Sequence, residues 1–422
     1  MSFGLRVRLS LMMFLQYFVW GIWLPSIALF IGKGGINLAE WYQGWIFTVY
    51  GFGAILGPFL VGQLADRYFA TEKVLAACHL IGGVLLIAAA YTTTFWPLFA
   101  LLFAYCNLYM PTMGLSNSIT FRTLGEANQE QFPGIRLWGT IGWIVAGLFY
   151  SAYLSSRGTS LLQPLFAVPW IGQPTFKDCL RLAGAVSLVY GLYCFALPHT
   201  PPVPAKETDP IDRRSAVLES LDLMRIRSFA VLVVITGLVG IMLAFYFGCE
   251  NFFLQDIGTN PDHVVGYMTI GQIAEVVVMA LVPLAVSRFG VKTTMIIGAG
   301  AWALRFGLSA IGRPWWLMIA TIGLHGFAFG FFFVVAQMFV DRAASADIKA
   351  TAQNLLVFVV YGLGTILGSV LTGVIRGYFH SNWAAIWAGP FVLTLLCILA
   401  FALLFHEQEI RKQAGRTDPA LV

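Results

Sequence analysis

A single carboxylate lies in the middle of the apolar segment 268–286, MTIGQIAEVVVMALVPLAV. Glu275 is 13 residues from the next charge, Arg288, which at about 1.5 Å per residue is roughly 20 Å along a helix. At that depth in a bilayer an ionised carboxylate is costly, so such residues usually face a cavity or a partner. Gln272, three residues earlier, shares its face. The pair predicts a polar functional site; the alternative is a structural carboxylate, protonated or paired between helices.

A second stripe of polar and aromatic residues lies in the segment 134–147, GIRLWGTIGWIVAG. Arg136, Thr140 and Trp143 are spaced i, i+4 and i+7, so a helix presents them on one face. The guanidinium is a planar fork of donors suited to carbonyls and carboxylates, threonine adds a hydroxyl, and tryptophan adds a face for stacking. The alternative is that Arg136 extends to the membrane surface, because it lies near the start of its apolar run.

Histidine and phenylalanine residues are combined in the segment 323–337, GLHGFAFGFFFVVAQ. His325 and Phe329 are four residues apart and share a helix face. The many phenylalanines and glycines indicate either close helix packing or an aromatic wall. A lone histidine in such a run is typical of a hydrogen-bonded core residue, whereas a position beside an aromatic wall favours a place in the cavity.

Other polar residues in apolar segments have structural interpretations. Arg305 is interpreted as a buried structural partner, and His79 as structural. Gln16, Trp20 and Trp23 share one face of the first apolar run, where they either line a cavity or pack between helices.

Membrane helices must position these side chains, because the composition excludes a soluble protein. Hydrophobic residues make up 59% of the 422 residues and charged residues 11%, whereas soluble chains carry about 25% charged residues. Runs of about 17–25 apolar residues are long enough to span a bilayer. Twelve can be placed, at 9–32, 41–64, 73–95, 97–121, 133–155, 178–198, 228–254, 263–287, 293–311, 314–340, 351–377 and 384–405. The sequence predicts an all-α membrane protein with twelve transmembrane helices.

The distribution of basic residues predicts the orientation of the chain. Of the 25 Lys and Arg residues, 17 lie on the side of both termini, 6 on the other side and two within spans. The positive-inside rule therefore places both termini in the cytoplasm. We expect a multi-pass protein of the cytoplasmic (inner) membrane whose first span is not cleaved, since that run is too long for a signal peptide. The six cysteines, with no CxxC pair, are interpreted as apolar fillers.

The twelve runs divide into two halves of six. The predicted domains are an N-terminal half 1–198, a cytoplasmic linker 199–227, a C-terminal half 228–406 and a cytoplasmic tail 407–422. Within the linker, 214–226 has the pattern of a short amphipathic helix at the membrane surface, or of a plain solvated linker. Short basic loops follow the second run and the eighth run. Paired six-span halves are the layout of the major facilitator superfamily.

The first of these loops, GQLADRYFATEKV at 62–74, resembles the signature loop of that superfamily. Asp66 can meet a helix N-terminus, and Arg67 can pair with acidic groups in one conformation only. The loop therefore predicts a cytoplasmic gating latch made by these two residues.

Taken together, the candidate residues resemble the nucleoside:proton symporter family of the major facilitator superfamily. The stretches that carry the resemblance are FLQYFVWGIWL (14–24), GQLADRYFATEKV (62–74), YMPTMGLSNSI (109–119), FPGIRLWGTIGW (132–143), GQIAEVVVMALVPLAVSRFGVK (271–292), WALRFGL (302–308) and GFAFGFFF (326–333). The resemblance implies proton-coupled uptake of nucleosides by alternating access, at a site between the two halves. It assigns nucleoside contacts to Arg136, Thr140, Trp143, Gln272, Glu275, His325 and Phe329, and proton coupling to Glu275.

The sequence departs from the pattern of that family at three positions. Ala244 and Phe247 stand where the family has amide side chains, and Gly330 stands where it has an acid. We expect Phe247 to contribute to the substrate site as an apolar wall. Recognition of the base would then depend more on stacking than on hydrogen bonds.

Two other functions fit the same pattern of spans. One is a facilitator or exporter of sugars or other polar metabolites, and the other is a membrane sensor, which the short loops disfavour. HExxH, GxSxG and clustered metal ligands are lacking, so an enzyme is not expected. We expect a monomer in a lipid bilayer that binds a nucleoside and protons, without cofactor, metal or nucleic acid.

Overall fold

The structure is a computed structural model, and it describes residues 2–62, 64–65, 68–157, 173–202, 223–343 and 349–407. Regular structure in these ranges is helical throughout. Eleven of the helices are long and apolar enough to cross a membrane. The predicted all-α membrane fold is confirmed.

The first six spans are built on helices that we number α1 to α6. A short helix continues α1, a π-helical turn continues α2, and a 3-10 turn precedes α5 and another follows α6. The bounds are α1 Phe3–Trp23 with Ile27–Ile31, α2 Glu40–Gly57 with Pro58–Gly62, α3 Thr71–Ala89, α4 Phe95–Leu124, α5 Phe132–Ser155 after Glu126–Gln131, and α6 Asp178–Tyr193 with Cys194–Ala196.

The remaining spans are numbered α7 to α12, and two of them contain π-helical turns. The unbroken helices are α7 Arg227–Asp256, α8 261–289, α9 291–311 and α12 Trp383–Leu404. Helix α10 consists of Trp315–Thr321, Leu324–Ala328, the π-helical turn Phe329–Val334 and Val335–Ala343. Helix α11 consists of Lys349–Val357, the π-helical turn Phe358–Gly364 and Thr365–Phe379.

Helices α8 and α9 follow each other without a loop, in one 51-residue helical element, Pro261–Ile311. At about 1.5 Å per residue, a straight helix of that length would reach roughly 77 Å, far more than a bilayer of about 30 Å. Gly290 interrupts it with φ 77° and ψ 169°, in a region that glycine adopts without steric cost. With this break counted, the described residues contain the twelve predicted spans.

Contacts divide the chain into two compact units. The first comprises Met1–Pro204 and Phe247–Thr269, and the second comprises Ala205–Tyr246 and Ile270–Val422. The division into halves at 199–227 stays a prediction. Of the predicted linker, tail and gating latch, the segments 203–222 and 408–422 and the residues Asp66 and Arg67 lie outside the described residues.

A buried polar network joins four helices of the first unit. The amide Nε2 of Gln16 on α1 donates to Thr112 Oγ1 on α4 at 2.7 Å. His79 on α3 has Nε2 3.1 Å from Gln16 Oε1 and Nδ1 3.0 Å from Ser187 Oγ on α6. All four side chains are buried, and hydrogen bonds satisfy polar groups that lipid cannot solvate. The structural interpretation of His79 is confirmed, and Gln16 belongs to helix packing.

All six cysteines are free and buried. This agrees with their interpretation as small apolar residues that fill helix interfaces.

Candidate substrate site

The stripe of Arg136, Thr140 and Trp143 lies on α5, as its spacing predicts. The helix starts at Phe132 and has Pro133 in its first turn, where the fixed φ of proline favours helix initiation. The three side chains are half-buried. Each of these side chains therefore keeps part of its surface accessible.

The guanidinium of Arg136 lies against an aromatic ring of α1. Its Cζ atom is 4.0 Å from the ring centroid of Tyr17, and Tyr17 is 7% exposed. A cation at this distance over a ring face is held by the ring quadrupole. The placement favours a role inside the bundle over extension to the membrane surface.

Trp143 belongs to an aromatic cluster that the spacing on α5 did not predict. Its ring meets Trp20 edge-on, with centroids 4.8 Å apart, and Trp20 in turn stacks on Tyr50 of α2 at 5.4 Å. Tyr17 and Tyr109 lie 6.0 Å and 6.1 Å from Trp20. We call these five residues the aromatic cluster. Trp20 was a candidate from its helix face, whereas Tyr17 and Tyr50 carried no signal in the sequence.

In the second unit, α8 and α10 approach each other at the level of Glu275. A Cβ atom added to Gly326 would lie 2.6 Å from the backbone nitrogen of Glu275 and 2.7 Å from the carbonyl oxygen of Ala274. The absence of a side chain therefore permits this contact. Gln272 and Glu275 are both half-buried and three residues apart on α8, so they share a face as predicted.

His325 is buried within aromatic rings. It is 3% exposed, and its ring centroid is 4.8 Å from that of Tyr246, 5.5 Å from Trp302 and 6.0 Å from Phe329. Its Nδ1 atom has no hydrogen-bond partner among the described residues. Phe329 is half-buried, so in this conformation His325 packs behind Phe329.

Arg305 is 1% exposed, and its Cζ atom lies 4.2 Å from the ring centroid of Tyr246. The same ring therefore contacts both the guanidinium and His325. This buried position on α9 agrees with the structural interpretation of Arg305.

Two of the three departures from the family pattern have a packing explanation. Gly330 faces α8, and an added Cβ atom would lie 3.1 Å from Val278 Cγ1, so a larger side chain meets the helix that carries Glu275. Ala244 is buried, and a Cβ atom added to Gly368 would lie 2.6 Å from its methyl group. Small residues at these positions therefore allow close helix packing.

Phe247 is half-buried on α7. The part of α7 up to Tyr246 belongs to the second unit, and the part from Phe247 onward belongs to the first. Among the described residues, no group of three His, Cys, Asp or Glu side chains is placed to hold a metal ion.

The two sets of residues offer different chemistry to a ligand. On α5, a guanidinium and a hydroxyl can donate hydrogen bonds beside an indole ring. On α8 and α10, a carboxylate and an amide can accept hydrogen bonds from hydroxyl groups, and a phenylalanine offers a stacking face. The carboxylate can also take up a proton.

Comparison with known proteins identifies a family that matches nearly the whole chain. The family described as Nucleoside H+ symporter matches residues 3–410. The protein YegT of Escherichia coli (strain K12) is 33% identical over 427 residues, which cover 97% of this chain and 96% of YegT. Xanthosine permease of the same organism is 31% identical over 98% of this chain and 100% of its own. The crystal structure of the nucleoside transporter NupG matches with a TM-score of 0.81 and 28% identity, over 95% of this chain and 99% of that chain.

Proposed function

The chain belongs to the nucleoside H+ symporter family, and on this premise we propose which of its residues bind the nucleoside and which residue couples its transport to protons. The family, the major facilitator type of fold and the absence of an enzymatic role were predicted from the sequence, and the comparisons confirm them. The chain is a multi-pass membrane transporter whose substrates are nucleosides and protons.

We propose that Arg136, Thr140 and Trp143 bind the nucleoside from α5. The observation that carries this proposal is the placement of the guanidinium over the buried Tyr17 ring of α1, which favours a place inside the bundle. The guanidinium and the threonine hydroxyl would donate hydrogen bonds to carbonyl and hydroxyl oxygens. The indole of Trp143 would stack on the base.

On α8 and α10, Gln272 and Glu275 would bind ribose hydroxyls, and Phe329 would stack on the base. A ribose hydroxyl can donate a hydrogen bond to a carboxyl oxygen of Glu275 in either protonation state, because the protonated form keeps an acceptor oxygen, which gives Glu275 a direct interaction with the sugar. His325 would support the ring of Phe329 from its buried side.

Proton coupling is assigned to Glu275. Protonation neutralises this carboxylate and lowers the cost of moving the loaded site through a region of low dielectric constant. The close approach of α10 at Gly326 supports the assignment, because a rearrangement of α10 would alter the surroundings of the carboxylate directly. Asp66 and Arg67 are proposed as the cytoplasmic gating latch.

The excess of Lys and Arg on the side of the termini supports an orientation with both termini in the cytoplasm. We place the transporter in the cytoplasmic membrane as a monomer. In this orientation an inward proton gradient drives uptake.

The test is the uptake of radiolabelled uridine, cytidine, adenosine, inosine and guanosine into proteoliposomes, with and without an inward proton gradient. We expect several of these nucleosides to accumulate, and only when the gradient is present. Uptake that is equal with and without the gradient would overturn proton coupling. Failure to transport any nucleoside while a sugar accumulates would overturn the substrate class.

A further inference from the structure

The guanidinium of Arg136 has a neighbour on each of two helices, and neither belongs to the residues proposed to bind the nucleoside. Tyr17 on α1 supplies the ring face, 4.0 Å from Cζ to the centroid. Gly139 on α5 supplies the space: a Cβ atom there would lie 2.6 Å from Tyr17 Cδ2 and 2.7 Å from Arg136 Nη1. The ring and the guanidinium therefore contact each other in a space that is open only because residue 139 has no side chain.

The backbone of α1 is held in place beside this contact. The hydroxyl of Tyr109 donates to the carbonyl oxygen of Gln16 at 2.6 Å, and the Gln16 side chain is fixed by Thr112. On the other side, Gly142 faces the backbone of Phe14 so closely that a Cβ atom there would overlap the Phe14 carbonyl group. Helix α1 therefore presents the Tyr17 ring from a constrained position.

The Tyr17 ring also borders the residues that orient Trp143. It lies 6.0 Å from Trp20, whose ring holds Trp143 in an edge-on contact at 4.8 Å. An arginine side chain loses considerable rotamer entropy when it binds a ligand. A ring that already restrains the guanidinium reduces this cost at binding.

We propose that Tyr17 is a positioning residue for nucleoside binding: its ring, packed against Gly139, holds the Arg136 guanidinium in the orientation that binds substrate. The inference rests on the proposed role of Arg136 in nucleoside binding. The ring face is the active part, so phenylalanine can replace tyrosine whereas an aliphatic side chain cannot.

The test compares Tyr17→Leu with Tyr17→Phe by measuring KM and maximal rate of uridine uptake in proteoliposomes. A cation–π contact in a partly desolvated place corresponds to roughly a three- to thirtyfold change in an equilibrium constant. We expect Tyr17→Leu to raise KM by about this factor, with a maximal rate within about twofold of the parent. Tyr17→Phe should restore the KM of the parent.

The chain offers a matched control on the same helix. Phe18 also packs a ring against α5, with its centroid 6.0 Å from that of Phe149. Phe18→Leu therefore removes a ring from the α1–α5 interface away from the cation–π contact of Arg136, and KM should stay within about twofold of the parent. An equal rise of KM in Phe18→Leu and Tyr17→Leu would show a packing defect and overturn the inference.

A double-mutant cycle separates positioning from structure. In an Arg136→Ala background, Tyr17→Leu should cause no further rise of KM, because the ring acts through the guanidinium. Independent, additive effects would overturn the inference. If Tyr17→Leu does not yield folded protein, Gly139→Ala, which keeps the ring and displaces it, must raise KM in the same direction, and a KM equal to the parent would refute the proposal.

Failure of the proposed function gives a different result from failure of this inference. If the parent transports no nucleoside, the proposed function is wrong. If the parent transports uridine and Arg136→Ala raises its KM while Tyr17→Leu behaves as the parent, only the positioning role is wrong.

Discussion

Gly326→Ala adds one methyl group at the place where α10 touches the helix that carries Glu275. The new Cβ atom would lie 2.6 Å from Glu275 N and 2.7 Å from Ala274 O. Non-bonded carbon atoms prefer about 3.5–4.0 Å, so the two helices must separate by roughly 1 Å. Backbone atoms cannot rotate away, and we therefore expect α10 to shift as a whole at this level.

The shift has consequences for stability and for transport. Overpacking of this kind costs about 1–3 kcal/mol. A misplacement of about 1 Å in a binding site can lower activity by two orders of magnitude. We expect Gly326→Ala to lower the midpoint of thermal unfolding in detergent and to reduce proton-driven uridine uptake at least about tenfold.

Gly300→Ala is the matched control for this variant. Gly300 lies in α9 of the same unit, and an added Cβ atom there would have no other atom within 4 Å. Alanine is favoured over glycine in a helix by about 1 kcal/mol, so the control should be as stable as the parent or more so, with unchanged uptake. Equal stability and equal uptake in the two variants would refute the argument that the contact at Gly326 sets the position of α10.

Three other variants test single assignments. Arg136→Lys keeps the charge but loses the planar fork, so the KM for uridine should rise in proteoliposome uptake; an unchanged KM would favour the membrane-surface alternative. Phe329→Ala should lower the apparent affinity of all nucleosides together in competition with uridine. The apparent affinities of the parent for purine and pyrimidine nucleosides should lie within about ten- to two-hundredfold of each other; inhibition by one nucleoside alone would contradict this. His79→Leu removes two buried contacts of about 0.6 kcal/mol each on average in membranes, so thermal unfolding should shift to lower temperature while KM stays constant; a changed KM would contradict its structural role.

Periodicity and composition were sufficient to predict the features that repeat along one helix. The apolar runs predicted the spans, and the i, i+3 spacing of Gln272 and Glu275 placed both on one face of α8. The i, i+4, i+7 spacing on α5 likewise described the stripe that begins at Arg136. These inferences succeed because helix geometry alone decides which residues share a face.

Features that depend on contacts between distant segments were not predictable in this way. No pattern along the chain indicates that Arg136 meets Tyr17, because their proximity follows from the packing of α1 on α5 through small residues. The burial of His325 depends on rings from α7 and α9, among them Tyr246 and Trp302. The direct passage from α8 to α9 at Gly290 replaces the loop expected between their apolar runs.

The most direct test of the coupling role of Glu275 is a paired measurement on Glu275→Gln in proteoliposomes. One assay follows uridine accumulation under an inward proton gradient, together with acidification of the lumen, and the other follows uridine exchange without a gradient. Glu40→Gln, which neutralises a half-buried glutamate in the first turn of α2, is the control and should behave as the parent. We predict that Glu275→Gln loses accumulation and lumen acidification but retains exchange. Accumulation and acidification equal to those of the parent would contradict the assignment of proton coupling to this carboxylate.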